Sequence, residues 1–186
     1  LAMSVADTAK YYTSEAKAWE RQVLIRSRSS SGAEALFRSF FQQVESTVFP
    51  IGESVEDALR NVRESKQKID LEHINTRGID VKLGTGGIRE IEFIAQALQL
   101  AYGGSDQWLR SPHTLISLVR LADRKLISES EHTSLADAYN FLRQLEHILQ
   151  MENGLQTHLI PSDEVKRTLV ARKMRFKSLA EFDETV

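Results

Sequence analysis

The stretch VKLGTGGIREIEFIAQALQL, residues 81–100, places three glycines within four positions directly before the most apolar run of the chain. Its second half decides the fold. At 100° per residue, Arg89, Glu92, Gln96 and Gln99 fall in a stripe about 80° wide, while Ile91, Phe93, Ile94, Ala95, Ala97, Leu98, Leu100 and Ala101 fill most of the remaining circumference. Such a segment is a helix buried on most sides with one narrow polar seam. The seam reads in two ways. It is the one face that meets water, or its charged groups are buried and paired, because burying an unpaired charge is expensive. Glu90 projects about 100° away from Arg89, off the seam.

The glycines in front of this helix also have two readings. Gly84, Gly86 and Gly87 let the backbone take positive φ and let another group approach the main chain. The helix end behind them offers unpaired N–H groups and a positive dipole end, so the turn is a candidate phosphate cradle with Lys82 beside it. The spacing matches neither G-x-x-x-x-G-K-[ST] nor G-x-G-x-x-G, since Arg89 stands where the latter needs glycine. The plainer alternative is a tight turn that lets the helix sink into the core.

Helical periodicity continues on both sides, punctuated by Pro50, Pro112 and Pro161. Helices are expected at 5–28, 33–48, 54–74, 87–102, 112–124, 129–152, 163–174 and 179–185. Ser128 with Glu131 and Ser178 with Glu181 carry the spacing of reciprocal helix caps. One extended segment is expected at 79–83, too short to define a sheet, and SRSSSG at 27–32 reads as a turn between helices. The expected fold class is therefore all-α: a bundle of about seven or eight helices with one short extended segment before the glycine turn, spanning 1–186 as a single domain.

The segment LADAYNFLRQLEHILQMENG, residues 135–154, explains itself by packing. Leu135, Ala138, Leu142, Leu145 and Leu149 form a seam at spacings of three and four, widened by Tyr139, Phe141 and Ile148. Its second half carries Arg143, Glu146, His147 and Gln150, which read either as a solvated face with local ion pairs or as a polar surface bordering a cleft.

Bulk properties exclude several classes. With 24 basic against 26 acidic side chains, no overall field advertises nucleic acid or an anionic membrane. There is no cysteine, so no disulfide or thiolate metal site, which fits a reducing cytosol. No apolar run approaches the length of a membrane span. The five histidines show no compact ligand spacing, so no metal is expected to be held by this chain alone.

The segment IDVKLGTGGIREIEFIAQALQLAYGG closely resembles the signature of the glutamine-synthetase adenylyltransferase family, whose members carry K-L-G-x-G-G-I-R-E-I-E-F. Further matches run in family order: YYTSEAKAWERQVLIRSR, then LRQLEHILQMENGLQTHLIP, then SDEVKRTLVARKMRF. Thr85 departs from the residues usual at its position, without bearing on the role. Members have two halves, each with a nucleotidyltransferase domain followed by a helical domain, and the magnesium-binding carboxylates belong to a G-[GS]-x-x-D-x-D motif of the former. That motif is absent here, where Asp57 and Asp163 lie in ordinary helical sequence.

The resemblance implies the helical domain of a longer, cytoplasmic enzyme, with Mg2+ and ATP, or ADP and phosphate, as cofactors of the whole and no catalytic residue in this part. It implies glutamine synthetase, the PII signal protein and an upstream nucleotidyltransferase domain as partners, with no nucleic acid and no membrane. G-G-I-R-E-I-E-F with a later L-E-H-x-L-Q-M and Q-T-H resembles the half that removes adenylyl groups; the other half reads closer to G-G-I-T-D-I-E-F. In removal, orthophosphate attacks the adenylyl-tyrosine of glutamine synthetase and releases ADP. Lys82, Gly84, Gly86, Gly87, Arg89 and Glu92 are the expected phosphate-side, cleft-lining residues, with Gln96, His147 and Gln156 second. Two alternatives stay open: the helical domain of the related PII-protein uridylyltransferase, which shares a G-P-G-G-L-R-D-I type segment, and a stand-alone helical interaction module.

Overall fold

A computed structural model describes residues 3–73, 78–153 and 157–186. Among these the fold is all-α: α1 (Val5–Ser14), α2 (Ala18–Leu24), α3 (Glu34–Val48), α4 (Val55–His73), α5 (Ile88–Gly103), α6 (Thr114–Asp123), α7 (Glu129–Asn153), α8 (Glu164–Lys173) and α9 (Leu179–Thr185), with one 3-10 turn at Gln107–Leu109. The extended segment before the glycine turn forms one isolated antiparallel bridge, Asp80 to Leu159.

One expected helix is two. Over 5–28 the apolar period runs through, yet α1 ends where the N–H groups of Glu15 and Ala16 both bond to the carbonyl of Tyr11, each at 2.9 Å. Lys17 is extended, with ψ 161°. Its N–H donates to the Glu20 carboxylate at 2.8 Å, and Tyr11 Oη donates to the same carboxylate at 2.6 Å. A carboxylate three residues downstream thus captures the backbone donor and starts α2 afresh. The cap lacks a hydroxyl residue, so periodicity alone overruns it.

The chain divides into two compact units: residues 1–67 with 93–132, and residues 68–92 with 133–186. In the first, the Gln96 and Gln99 part of the polar seam of α5 is buried. Gln22 donates to Gln96 Oε1 at 2.7 Å, and Ser65 donates to Gln22 at 3.1 Å. Gln99 donates to the carbonyls of Leu109 and Ser111 at 2.7 and 2.9 Å, satisfying the irregular backbone after the 3-10 turn. The water-facing reading of the seam is therefore corrected at these two positions; the exposed residues of this helix include Ile94.

The second unit packs the α7 seam against the last two helices. Val81, Leu145, Leu149, Ile160, Val170, Ala171, Met174 and Phe182 form its core. Phe176 sits edge-on to both Phe141 and Phe182. The Ser128–Glu131 cap is reciprocal as expected, with bonds of 3.2 and 2.7 Å. At Ser178 only one arm is: its hydroxyl accepts from the Glu181 N–H, while the Glu181 carboxylate accepts from Lys177 rather than Ser178. Asp163 caps α8 by accepting from the Lys166 N–H.

Candidate functional site

The glycine turn is closed by its own hydrogen bonds. Asp80 Oδ1 accepts from the N–H groups of Lys82 and Leu83, both at 2.9 Å, and its carbonyl accepts from Gly84 at 3.0 Å. Ile88 and Arg89 donate to the carbonyls of Val81 and Lys82, and Glu90 donates to Gly87. Gly86 N–H is taken by the Glu90 carboxylate at 3.0 Å. The donors a helix-end cradle would offer to phosphate are thus engaged within the turn. All three glycines are needed for its shape, since a Cβ on Gly84 would stand 2.6 Å from the carbonyl oxygen of Asp80. Gly86 has φ +74°, and a Cβ on Gly87 would stand 2.9 Å from the carbonyl oxygens of both Gly84 and Lys82.

Side chains of the same turn meet α7 within the second unit. Glu146 is 2% exposed. Its Oε1 lies 3.2 Å from Lys82 Nζ and 3.4 Å from His158 Nδ1; its Oε2 accepts from Arg143 Nη1 at 2.5 Å. The extended bridge supplies the third side, with Val81 N–H donating to the His158 carbonyl at 3.0 Å. Nearby, Arg89 Nη1 lies 3.7 Å from Glu92 Oε2, and the buried hydroxyl of Tyr139 donates to Glu92 Oε1 at 3.4 Å.

The cluster is layered. The carboxylates lie beneath, at 2% and 6% side-chain exposure for Glu146 and Glu92, while Lys82, Arg89 and Arg143 reach solvent at 26%, 34% and 37%. Cations on top of buried anions give the surface a positive face even though formal charges nearly balance. His158 is held below its ordinary pKa, first by burial and then by the Lys82 ammonium and the Arg89 guanidinium, against Asp80 and Glu146. It is therefore a neutral imidazole at pH 7.

Of the sequence-predicted residues, the structure brings Lys82, Arg89 and Glu92 into this cluster, with Gly84, Gly86 and Gly87 shaping the turn that carries them. Gln96 belongs to the first unit, on Gln22. His147 is exposed, one position past the buried Glu146. Gln156 lies outside the described residues. Sequence reasoning placed Arg143 and Glu146 on a polar face without seeing that Glu146 is buried. It missed Tyr139 as more than packing, and read His158 only within the Q-T-H of the family resemblance, not as a site residue.

Magnesium does not fit this cluster. Both Glu146 oxygens already face cations, and among the described residues no three His, Asp or Glu side chains gather. An oxyanion fits, because an ammonium and a guanidinium carry eight N–H donors between them, more than one carboxylate accepts.

A family model described as GlnD PII-uridylyltransferase matches residues 55–185, most of the chain and nearly all of the second unit. The chain belongs to this helical domain family. It is also similar to a bifunctional glutamine synthetase adenylyltransferase/adenylyl-removing enzyme of Xanthobacter autotrophicus, at 36% identity over 180 residues, 95% of this chain. The kinship read from the K-L-G-x-G-G-I-R-E-I-E-F segment with the glutamine-synthetase adenylyltransferases holds. The chain spans 18% of the length of that relative. No helix among the described residues is long and apolar enough to cross a membrane.

Proposed function

We propose that this chain is the helical, substrate-side domain of an enzyme that adenylylates and deadenylylates a tyrosine of glutamine synthetase, and that it serves the adenylyl-removing half. The likeness to the Xanthobacter enzyme supports the enzyme class. The G-G-I-R-E-I-E-F reading of residues 86–93 supports the half. In the removal step an orthophosphate oxygen attacks the adenylyl phosphorus, the phosphorus–tyrosine oxygen bond breaks, and the phenol leaves protonated as ADP forms. A nucleotidyltransferase domain in cis supplies the magnesium carboxylates and the nucleotide site. Glutamine synthetase is the protein substrate, and PII is the regulator of the whole.

The observation that carries the reading is the layered cluster, with Lys82 on the turn of the signature segment, Arg89 in the first turn of α5, and Glu146 and Glu92 beneath them. It offers fixed positive charge to a phosphorus centre without proton chemistry of its own. In the complete enzyme with magnesium, phosphate and adenylylated glutamine synthetase, Lys82→Ala should slow ADP release at least about tenfold, or about 1.4 kcal/mol. A parent rate would sink the proposal.

The family model favours a second reading, the helical domain of a PII uridylyltransferase. Transfer of a uridylyl group from UTP to PII by the same complete enzyme would establish it.

A further inference from the structure

The second unit also contains a cavity of about 820 Å³ that shares no residue with the Glu146 cluster. Its walls come from the paired extended segments, the first turn of α8 and the C-terminal end of α9, all within that one unit. Ile79, Leu159, Ile160, Pro161 and Phe182 make much of the lining apolar. Phe182 is fully buried whereas Ile79 is 54% exposed, so the apolar wall runs from the core out to solvent. Sites for small molecules have this character: about 300–1,000 Å³, mainly apolar, with a few placed polar groups.

The placed group here is a guanidinium. Arg167 Nε donates to Asp183 Oδ1 at 2.9 Å, and Nη1 donates to the carbonyls of Ser162 and Pro161 at 3.2 and 3.4 Å. These bonds fix its plane and occupy Nε and Nη1. The two N–H groups of Nη2 have no partner among the described residues. Nor has the ammonium of Lys166, the next residue of the lining. Asp183 balances one of the two cations, so one positive charge remains in the cavity wall.

We propose that this cavity binds a small monocarboxylate with an apolar body. The acid head takes the Nη2 donors of Arg167 and the charge of Lys166, because hydrogen bonds between ionised partners are the strong ones. The body lies against Ile79, Leu159 and Phe182, where it removes apolar wall from water. Asp183 is a positioning residue: it holds Arg167, and its own charge leaves the cavity matched to one acid group rather than two. The inference needs no adenylyl chemistry and stands or falls without any turnover.

The test is a methyl NMR titration of the 186-residue chain at pH 7 and constant ionic strength, following Ile79, Leu159, Ile160 and Val186, which all line the cavity. The ligand added is 3-phenylpropanoate. Separate arms add 3-phenylpropanamide, which lacks the charge, and acetate, which lacks the body. Saturable shifts at these methyls with the acid, with Kd on the order of 1 mM, support the site, as does binding of the amide and of acetate at least about tenfold weaker. Lys166→Gln removes an exposed, unpartnered cation and should weaken binding at least about threefold in a chain that melts like the parent. Arg167→Lys keeps a cation beside Asp183 but loses Nη2, and should weaken it at least about tenfold. Where Arg167→Lys melts below the assay temperature, Lys166→Gln carries the comparison. Absence of saturation in the folded parent, parent-like affinity for the amide or for acetate, shifts centred on methyls of the first unit, or parent affinity in Lys166→Gln overturns the site.

Discussion

Lys82 Nζ lies 3.2 Å from Oε1 of Glu146, joining the residue two positions before the first glycine of the turn to the middle of α7. The two are 64 positions apart, and the carboxylate is buried while the ammonium is not. That asymmetry makes Glu146 the costly member. Its charge is stable in the core only with its cations in place.

Replacing Glu146 by Gln should therefore destabilise the chain by about 2–4 kcal/mol. The amide keeps the shape but removes the negative charge, and it leaves one accepting oxygen where Lys82 and Arg143 face two. The figure sits below that for breaking a fully buried pair because Lys82 and Arg143 can turn toward water. Urea unfolding of parent and variant measures it; a difference under about 0.5 kcal/mol would show that the contacts of this carboxylate contribute little net stability.

Substitution in the glycine turn separates backbone shape from chemistry. Gly86→Val places a β-branched residue at φ +74°, and Gly87→Val drives a side chain into two carbonyl oxygens. Each should cost about 1–3 kcal/mol and lower the melting temperature of the chain by several degrees. The N–H groups of Gly84, Gly86 and Gly87 are engaged internally, so shape is the expected cause of any lost activity. An unchanged melt with lost adenylyl removal in the complete enzyme would return the turn to a phosphate-contacting role.

Stability should depend on His158 below neutral pH. Burial, Lys82 and Arg89 depress its pKa in the fold more than Asp80 and Glu146 raise it. The unfolded chain then takes up the proton first, at its ordinary value of about 6.5. Stability from this group is complete above that pH and declines as pH falls toward the lower folded value. Relative to His158→Gln, the parent should lose melting temperature between pH 7 and about pH 5.5. Parallel curves for the two proteins would rule out a contribution of His158 to the pH dependence.

The helices were legible because their packing repeats locally. The α7 seam at Leu145 and Leu149, and the buried faces of α5, follow from spacing alone. The break at Lys17 was hidden because its cap is a carboxylate acting on the backbone, with no Ser, Thr, Asp or Asn to announce it. The cluster was half legible. Lys82, Arg89 and Glu92 lie in one segment whose pattern marks them. Glu146 and His158 acquire meaning only through contacts between distant segments, and nothing in Arg-x-x-Glu at 143–146 says which member is buried.

Arg89 tests how far that cluster serves chemistry rather than packing. If its face were wet, the pair with Glu92 would contribute little and its loss would be nearly silent. The fold corrects that premise: Glu92 is 6% exposed in its side chain, with the Tyr139 hydroxyl on its other oxygen, while Arg89 reaches solvent. Arg89→Ala should thus cost about 1–2 kcal/mol of stability, moderated by the partners Glu92 keeps, whereas Arg89→Lys should melt near the parent because a cation remains beside the carboxylate. Activity should separate from stability at this point. In the complete enzyme Arg89→Ala should lower adenylyl removal at least about tenfold, and Arg89→Lys should recover only part of it, since an ammonium cannot present a planar fork to phosphate. A lysine variant with both parent melt and parent rate would assign Arg89 to charge balance over Glu92. A normal rate with alanine would take it out of the reaction altogether.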